Sequence, residues 1–171
     1  MEQNPLGFEK SFQLSFGIKV NDKQLQVKLG GKIDRIDKTG NAFRVIDYKT
    51  GKIERGFEAV EQLFEISGKK QNKEAMQILL YSFLLSEDKE YNNLPVVAGL
   101  YGLRDIFKGD FDYHLILGKN QLVEHFAQVR DVYLDGLKNT LMDIFDPQIT
   151  FTKVVDKKAC EYCDYRRICH R

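Results

Sequence analysis

Two aspartates and a lysine stand at spacings that bring them to one point. Asp34 lies in GGKIDRID, and Asp47 and Lys49 lie in VIDYKTG, on either side of the turn signal Lys38-Thr39-Gly40-Asn41. The flanks are apolar and β-rich, so a hairpin is predicted. A two-residue turn at Thr39-Gly40, or the four-residue loop 38–41, sets Asp34 opposite Val45 and Lys32 opposite Asp47. Opposite residues share a sheet face, as do residues two apart on a strand. Asp34, Val45, Asp47 and Lys49 therefore point the same way, and the two carboxylates become diagonal neighbours roughly 7–8 Å apart at the backbone. A three-residue loop would send them to opposite faces. Two carboxylates converging without histidine suit a hard cation, Mg²⁺ or Mn²⁺. Such an ion polarises a phosphodiester and lowers the pKa of a bound water. A lysine two residues past the second carboxylate reaches the same water or the phosphate. Asp-x-Lys triplets are common on solvated strands, so the weight rests on the pairing with Asp34.

Further candidates follow along the chain. Gln77 and Tyr81 are four apart on a predicted helix, hence on one face, amid Met76, Leu79, Leu80, Phe83 and Leu84. The basic loop with Lys69, Lys70 and Lys73 reads as solvated rather than as part of the site. Lys49-Thr50 lacks the glycines of a phosphate loop, which excludes that reading. Cys160, Cys163 and Cys169 are the chain's three cysteines, spaced C-x2-C-x5-C within the last twelve residues. That clustering suits a metal or cluster better than a disulfide framework and points to a reducing, cytoplasmic setting.

GGKIDRID followed by VIDYKTG resembles the RecB-type branch of the PD-(D/E)XK nuclease superfamily. The matching residues are Gly31, Asp34, Arg35, Asp37, Asp47, Lys49, Thr50 and Gly51. The resemblance implies that Asp34, Asp47 and the backbone carbonyl of Tyr48 bind the metal, and that Lys49 positions the water and the phosphate. Arg35 and Asp37 take a supporting role at the strand end. QILLY matches the Gln-x-x-x-Tyr of the same branch, which implies that Gln77 and Tyr81 position DNA near the metal. The tail resembles AddB-type nucleases, in which three C-terminal cysteines and one far upstream hold a 4Fe–4S cluster. No fourth cysteine is present. The first ligand lies upstream, or His170 completes a zinc site, or the site is empty. Many members of the branch also carry a histidine ligand ahead of the hairpin, whereas His114, His125 and His170 all follow it.

The elements that must position these residues begin with a strand over Phe12–Val20. A second carries Leu25, Val27 and Leu29 into GGKIDRID, and a third spans Ala42–Lys49, giving an antiparallel meander. Asn72 caps a helix running to about Glu87. Strands follow after Pro95 to Leu103 and over Phe111–Leu117. A long helical pattern then runs from Gln121 to Phe145, interrupted near Gly136 and ended by Pro147. This order predicts an α/β (α+β) layer fold. The resemblance makes it a restriction-endonuclease-like core, a central mixed sheet with an antiparallel meander flanked by helices.

At 171 residues, 43% hydrophobic and 30% charged, the chain fits one domain with an ordinary core. No second domain, repeat or membrane span is legible. The expectation is a single nuclease domain over residues 1–171, the C-terminal fragment of a longer chain, with a cysteine-rich tail at 160–171. A net charge of +1 does not by itself argue for nucleic acid. The function expected is a metal-dependent, exonuclease-like DNA nuclease. Its expected partners are single-stranded DNA and a helicase or other nuclease-complex subunit in recombination and repair. A noncatalytic nuclease-fold module that binds DNA or acts as a scaffold is the alternative.

Overall fold

The computed structural model describes residues 4–65, 72–105, 107, 111–155 and 157–170. Two long strands, β1 (Asn4–Val20) and β2 (Lys23–Thr39), form an antiparallel ribbon closed by the turn Asn21-Asp22. The alternating row Phe12, Ile18, Val20 and Leu29 is buried, and Ser11, Gln13, Lys19 and Lys28 face outward. β1 extends well ahead of Phe12, where the expected strand began.

β3 (Ala42–Lys49) completes the meander, with a corrected register. Thr39 pairs with Ala42, so Gly40 and Asn41 form the turn, not Thr39 and Gly40. Gly40 has φ +56, a left-handed conformation that glycine adopts without steric cost and that a tight hairpin requires. Every pair therefore moves by two, and Ile36, not Asp34, faces Val45. Because two is the side-chain period, this shift changes partners without exchanging faces. Continuing one step past the last recorded pair, Arg35 with Ile46, sets Asp34 level with Asp47.

The alternation of β2 breaks at this level. Ile33 and Ile36 are both fully buried in one core cluster, although three residues apart. Asp34 and Arg35 sit between them, at the point where the β2–β3 ladder ends.

β4 (Gly56–Phe57) precedes a helix, α1 (Lys73–Ser86). The Asn72 side chain caps α1 by accepting from the Ala75 N–H at 2.9 Å. Its amide also donates to the carbonyls of Glu54 and Gly56, at 2.7 and 2.9 Å, tying the helix start to the segment leaving β3. Ala75, Ile78, Leu79 and Phe83 bury one face of α1 in the core. Full burial of Ile78 and Leu79 contributes roughly 1.5–3 kcal/mol each. The chain returns as β5 (Val96–Gly102), parallel to β3, so the main sheet has the order β1-β2-β3-β5. The sheet is thus mixed and flanked by helices: the layer fold follows the element order, and the mixed sheet is the one the resemblance implies.

Two segments differ from expectation. Of Phe111–Leu117, β6 is only Leu115–Leu117; residues 111–114 run beside β5, with Leu100 N–H donating to Tyr113. The pattern at Gln121–Phe145 is not one interrupted helix. Gly118, at φ +60, turns the chain so that β7 (Gln121–Val123) pairs back onto β6, and α2 (Arg130–Phe145) follows. α2 continues through Gly136 because that residue makes room rather than a break: a Cβ there would lie 2.3 Å from the Phe64 ring.

Candidate active site

Where β2 and β3 part, a side chain takes over from the ladder. The Tyr48 N–H donates to Asp34 Oδ2 at 3.0 Å, so the carboxylate stands where a neighbouring-strand carbonyl would otherwise accept. On a strand the N–H and C=O of one residue point to the same edge. The Tyr48 carbonyl therefore faces the gap that holds Asp34.

On β3, Asp47 is buried and Lys49 is partly exposed. Lys49 Nζ lies 2.8 Å from Asp47 Oδ2 and donates to Gln77 Oε1 at 2.8 Å. Gln77 Nε2 in turn donates to the Tyr81 hydroxyl at 2.9 Å. A lysine can only donate, so the Gln77 carbonyl must face Lys49 and its NH₂ must face Tyr81. Asp47, Lys49, Gln77 and Tyr81 are thus joined into one constellation, although its α1 and β3 members are 28 or more residues apart, and Asp34 stands beside it, held by the Tyr48 N–H and close enough for its charge to act on Asp47. Gly31 makes this possible. A Cβ on it would sit 2.4 Å from Tyr81 Cε1, so the ring lies where any larger residue would put its side chain.

Asp47 is held uphill. Burial is the main influence raising its pKa; the Lys49 ammonium opposes, and the charges of Asp34 and Glu74 add to the rise. Oδ2 of Asp47 is buried with an ion-pair partner in Lys49 but no hydrogen bond of good geometry. An acceptor so placed favours a cation. Asp34, Asp47 and the Tyr48 carbonyl are hard oxygen donors, the set that Mg²⁺ and Mn²⁺ prefer. Among the described residues no three His, Cys, Asp or Glu side chains form a metal-holding group. A Mg²⁺ bound through two carboxylates and completed by water or phosphate needs no third.

Glu74 escaped the reading of the sequence. It lies three residues before Gln77, on the same face of α1. Its spacing from Gln77 was the available signal, but a charged residue in a first helical turn is ordinarily just a dipole partner.

The other face of the sheet braces Tyr48. Arg35 donates to Asp37 at 2.7 Å and to the Tyr48 hydroxyl at 3.1 Å. Arg44 reaches the second oxygen of Asp37 at 2.5 Å and lies over the Tyr113 and Tyr101 rings. Burial works against the Arg44 charge, but hydrogen bonding to Asp37 and Tyr113 and the charges around it prevail, and its pKa is raised.

Cys160, Cys163 and Cys169 carry free, half-exposed thiols in the C-terminal tail. They and His170 do not form a ligand set among the described residues. Lys69 and Lys70 lie outside the described residues, and Lys73 is exposed at the start of α1. No described helix is long and apolar enough to cross a membrane.

A family model described as the PD-(D/E)XK nuclease superfamily matches residues 2–170. No curated protein matches the chain.

Proposed function

We propose, since the chain belongs to the PD-(D/E)XK nuclease superfamily, that it is a divalent-metal-dependent deoxyribonuclease of the RecB/AddB type. In this reading it acts like an exonuclease on single-stranded DNA, beside a helicase or another nuclease-complex subunit in cytoplasmic recombination and repair. The observation that carries it is the linked set Asp34, Asp47, Lys49 and Gln77.

Asp34, Asp47 and the Tyr48 carbonyl would hold the cation. When bound, Mg²⁺ or Mn²⁺ supplies charge at the phosphodiester and a more acidic water. Lys49 contributes a second positive charge, fixed between Asp47 and Gln77, for the charge that builds on the phosphate as the P–O bond breaks. Such pre-set donors cost no reorganisation during the reaction. Gln77 holds Lys49 in place, and Tyr81, whose oxygen accepts from Gln77, keeps its own O–H to donate to a DNA phosphate.

The test is digestion of labelled single- and double-stranded DNA with Mg²⁺, with Mn²⁺ and with EDTA. Fragments are expected with either metal and none with EDTA. Binding of DNA without cleavage under both metals would sink the enzymatic reading and leave a noncatalytic module.

The α1 pair gives a graded series. Gln77→Ala is expected to slow cleavage about tenfold with the fold intact, because a rim amide adds little to the core. Tyr81→Phe, losing one hydroxyl contact worth about 1 kcal/mol, should slow it roughly fivefold. Gly31→Ala should cost about 1–3 kcal/mol of stability in urea denaturation as the Tyr81 ring is driven off its seat. Wild-type cleavage by Gln77→Ala would remove α1 from the mechanism.

A further inference from the structure

The two parts of the chain differ in charge. Residues 147–171 hold six Lys/Arg against three Asp/Glu, a net of +3, leaving 20 against 22 and a net of −2 on residues 1–146. The basic end is also where aromatic rings stand in solvent. Tyr162 is 91% exposed, Tyr165 is 69% exposed and Phe151 is fully exposed. Lys153, Lys157, Arg166 and His170 line a pocket of about 430 Å³ with Glu161. Arg166 donates to the Glu161 carbonyl, and among the described residues none of Lys153, Lys157, Arg166 and Arg167 forms an ion pair. Lysines and an arginine unpaired with carboxylates, interleaved with exposed rings, match a strand of phosphates carrying unpaired bases. The phosphates meet the cations and the bases stack on the rings.

This surface starts far from the cleft. Asp146, at the end of α2, lies against Asn21 in the β1–β2 turn, 3.4 Å between side chains. The eleven residue-to-residue steps along β2 from Lys23 to Asp34 span about 36 Å at a strand rise of roughly 3.3 Å.

We propose that residues 147–155 and 157–170 form a second contact surface for single-stranded nucleic acid, with Tyr162 and Tyr165 as stacking platforms and Lys153, Lys157 and Arg166 as phosphate contacts. The proposal rests on the nuclease reading for the identity of the ligand. It assigns the tail substrate retention, separate from the chemistry at Asp47 and Lys49.

The experiment is fluorescence anisotropy of labelled oligo-dT with the full chain in EDTA, so that nothing is cut, followed by cleavage kinetics with Mg²⁺. Tyr162→Ala with Tyr165→Ala should weaken binding about tenfold per ring, and the Phe pair at the same positions should bind like wild type. Lys153→Gln, Lys157→Gln and Arg166→Gln together should reduce the slope of log affinity against log salt by about 2. Both rings and all three cations are at the surface, so these variants keep the fold. In cleavage, KM should rise with kcat unchanged, since none of these side chains belongs to the Asp34, Asp47 and Lys49 set. If wild type binds and cuts while the alanine and glutamine variants bind equally well, this proposal is overturned and the nuclease reading stands; the tail then serves another occupant, a protein partner included. If wild type neither binds nor cuts DNA, both fall.

Discussion

Asp47→Ala and Lys49→Ala are each expected to slow metal-dependent cleavage about a hundred- to a thousandfold, roughly 3–4 kcal/mol of barrier. The two losses differ in kind. Wild type is expected to melt higher with Mn²⁺, and Asp47→Ala, which removes a buried carboxylate from the cation site, should lose that rise. Lys49→Ala leaves both aspartates in place and should keep that rise while losing rate. Asp34→Ala should resemble Asp47→Ala and, in addition, free the Tyr48 N–H that Asp34 accepts from. Thermal melts with and without Mn²⁺, beside single-turnover cleavage, separate these outcomes. Cleavage at the wild-type rate by both variants would remove this pair from the chemistry.

The largest expected effect on stability lies on the opposite face. Asp37 is fully buried, and the Arg44 side chain it contacts is 3% exposed. Asp37→Ala would leave that guanidinium against the Tyr101 and Tyr113 rings without its carboxylate, whereas Arg35, partly exposed, keeps the Tyr48 hydroxyl. Removing one partner of a buried ion pair typically costs about 3–5 kcal/mol. Against a total of about 5–15 kcal/mol for a domain, that is a large share. Urea denaturation should show a midpoint far below wild type with an unchanged slope. Replacing Asp37 and Arg44 together by apolar residues of similar volume should recover most of the loss, because no charge is then left behind. A loss below about 1 kcal/mol for Asp37→Ala would mean that water reaches Arg44.

The hairpin was readable because its error was even. Placing the turn at Thr39-Gly40 missed the register by two, and two is the period at which strand side chains return to the same face. The same error concealed the Asp37–Arg44 pair, since the expected register set Asp37 opposite Ala42, whereas Arg44 lies there. The spacing of Gln77 and Tyr81 marked one helix face. That this face meets Lys49 depends on how α1 crosses the sheet, which only the resemblance supplied. Gly31 stood in a motif, but its reason is the Tyr81 ring, fifty residues away in sequence. β7 was lost to a helical reading because the decisive feature is a left-handed φ at Gly118, and periodicity is blind to backbone sign.

The parallel pairing of β3 with β5 has a kinetic consequence. Val20 meets Lys23 across a two-residue turn, whereas Phe43 meets Val96 across about fifty residues. Loop closure scaling as (3/2)RT ln n makes the second contact costlier by roughly 3 kcal/mol. The ribbon and the hairpin after it can therefore form early, and the crossover carrying α1 docks afterwards. A molecule paused between those steps would already hold Asp34 level with Asp47 but leave Lys49 without Gln77. During synthesis, the two carboxylates are thus expected to be in place before the chain acquires any ability to use them.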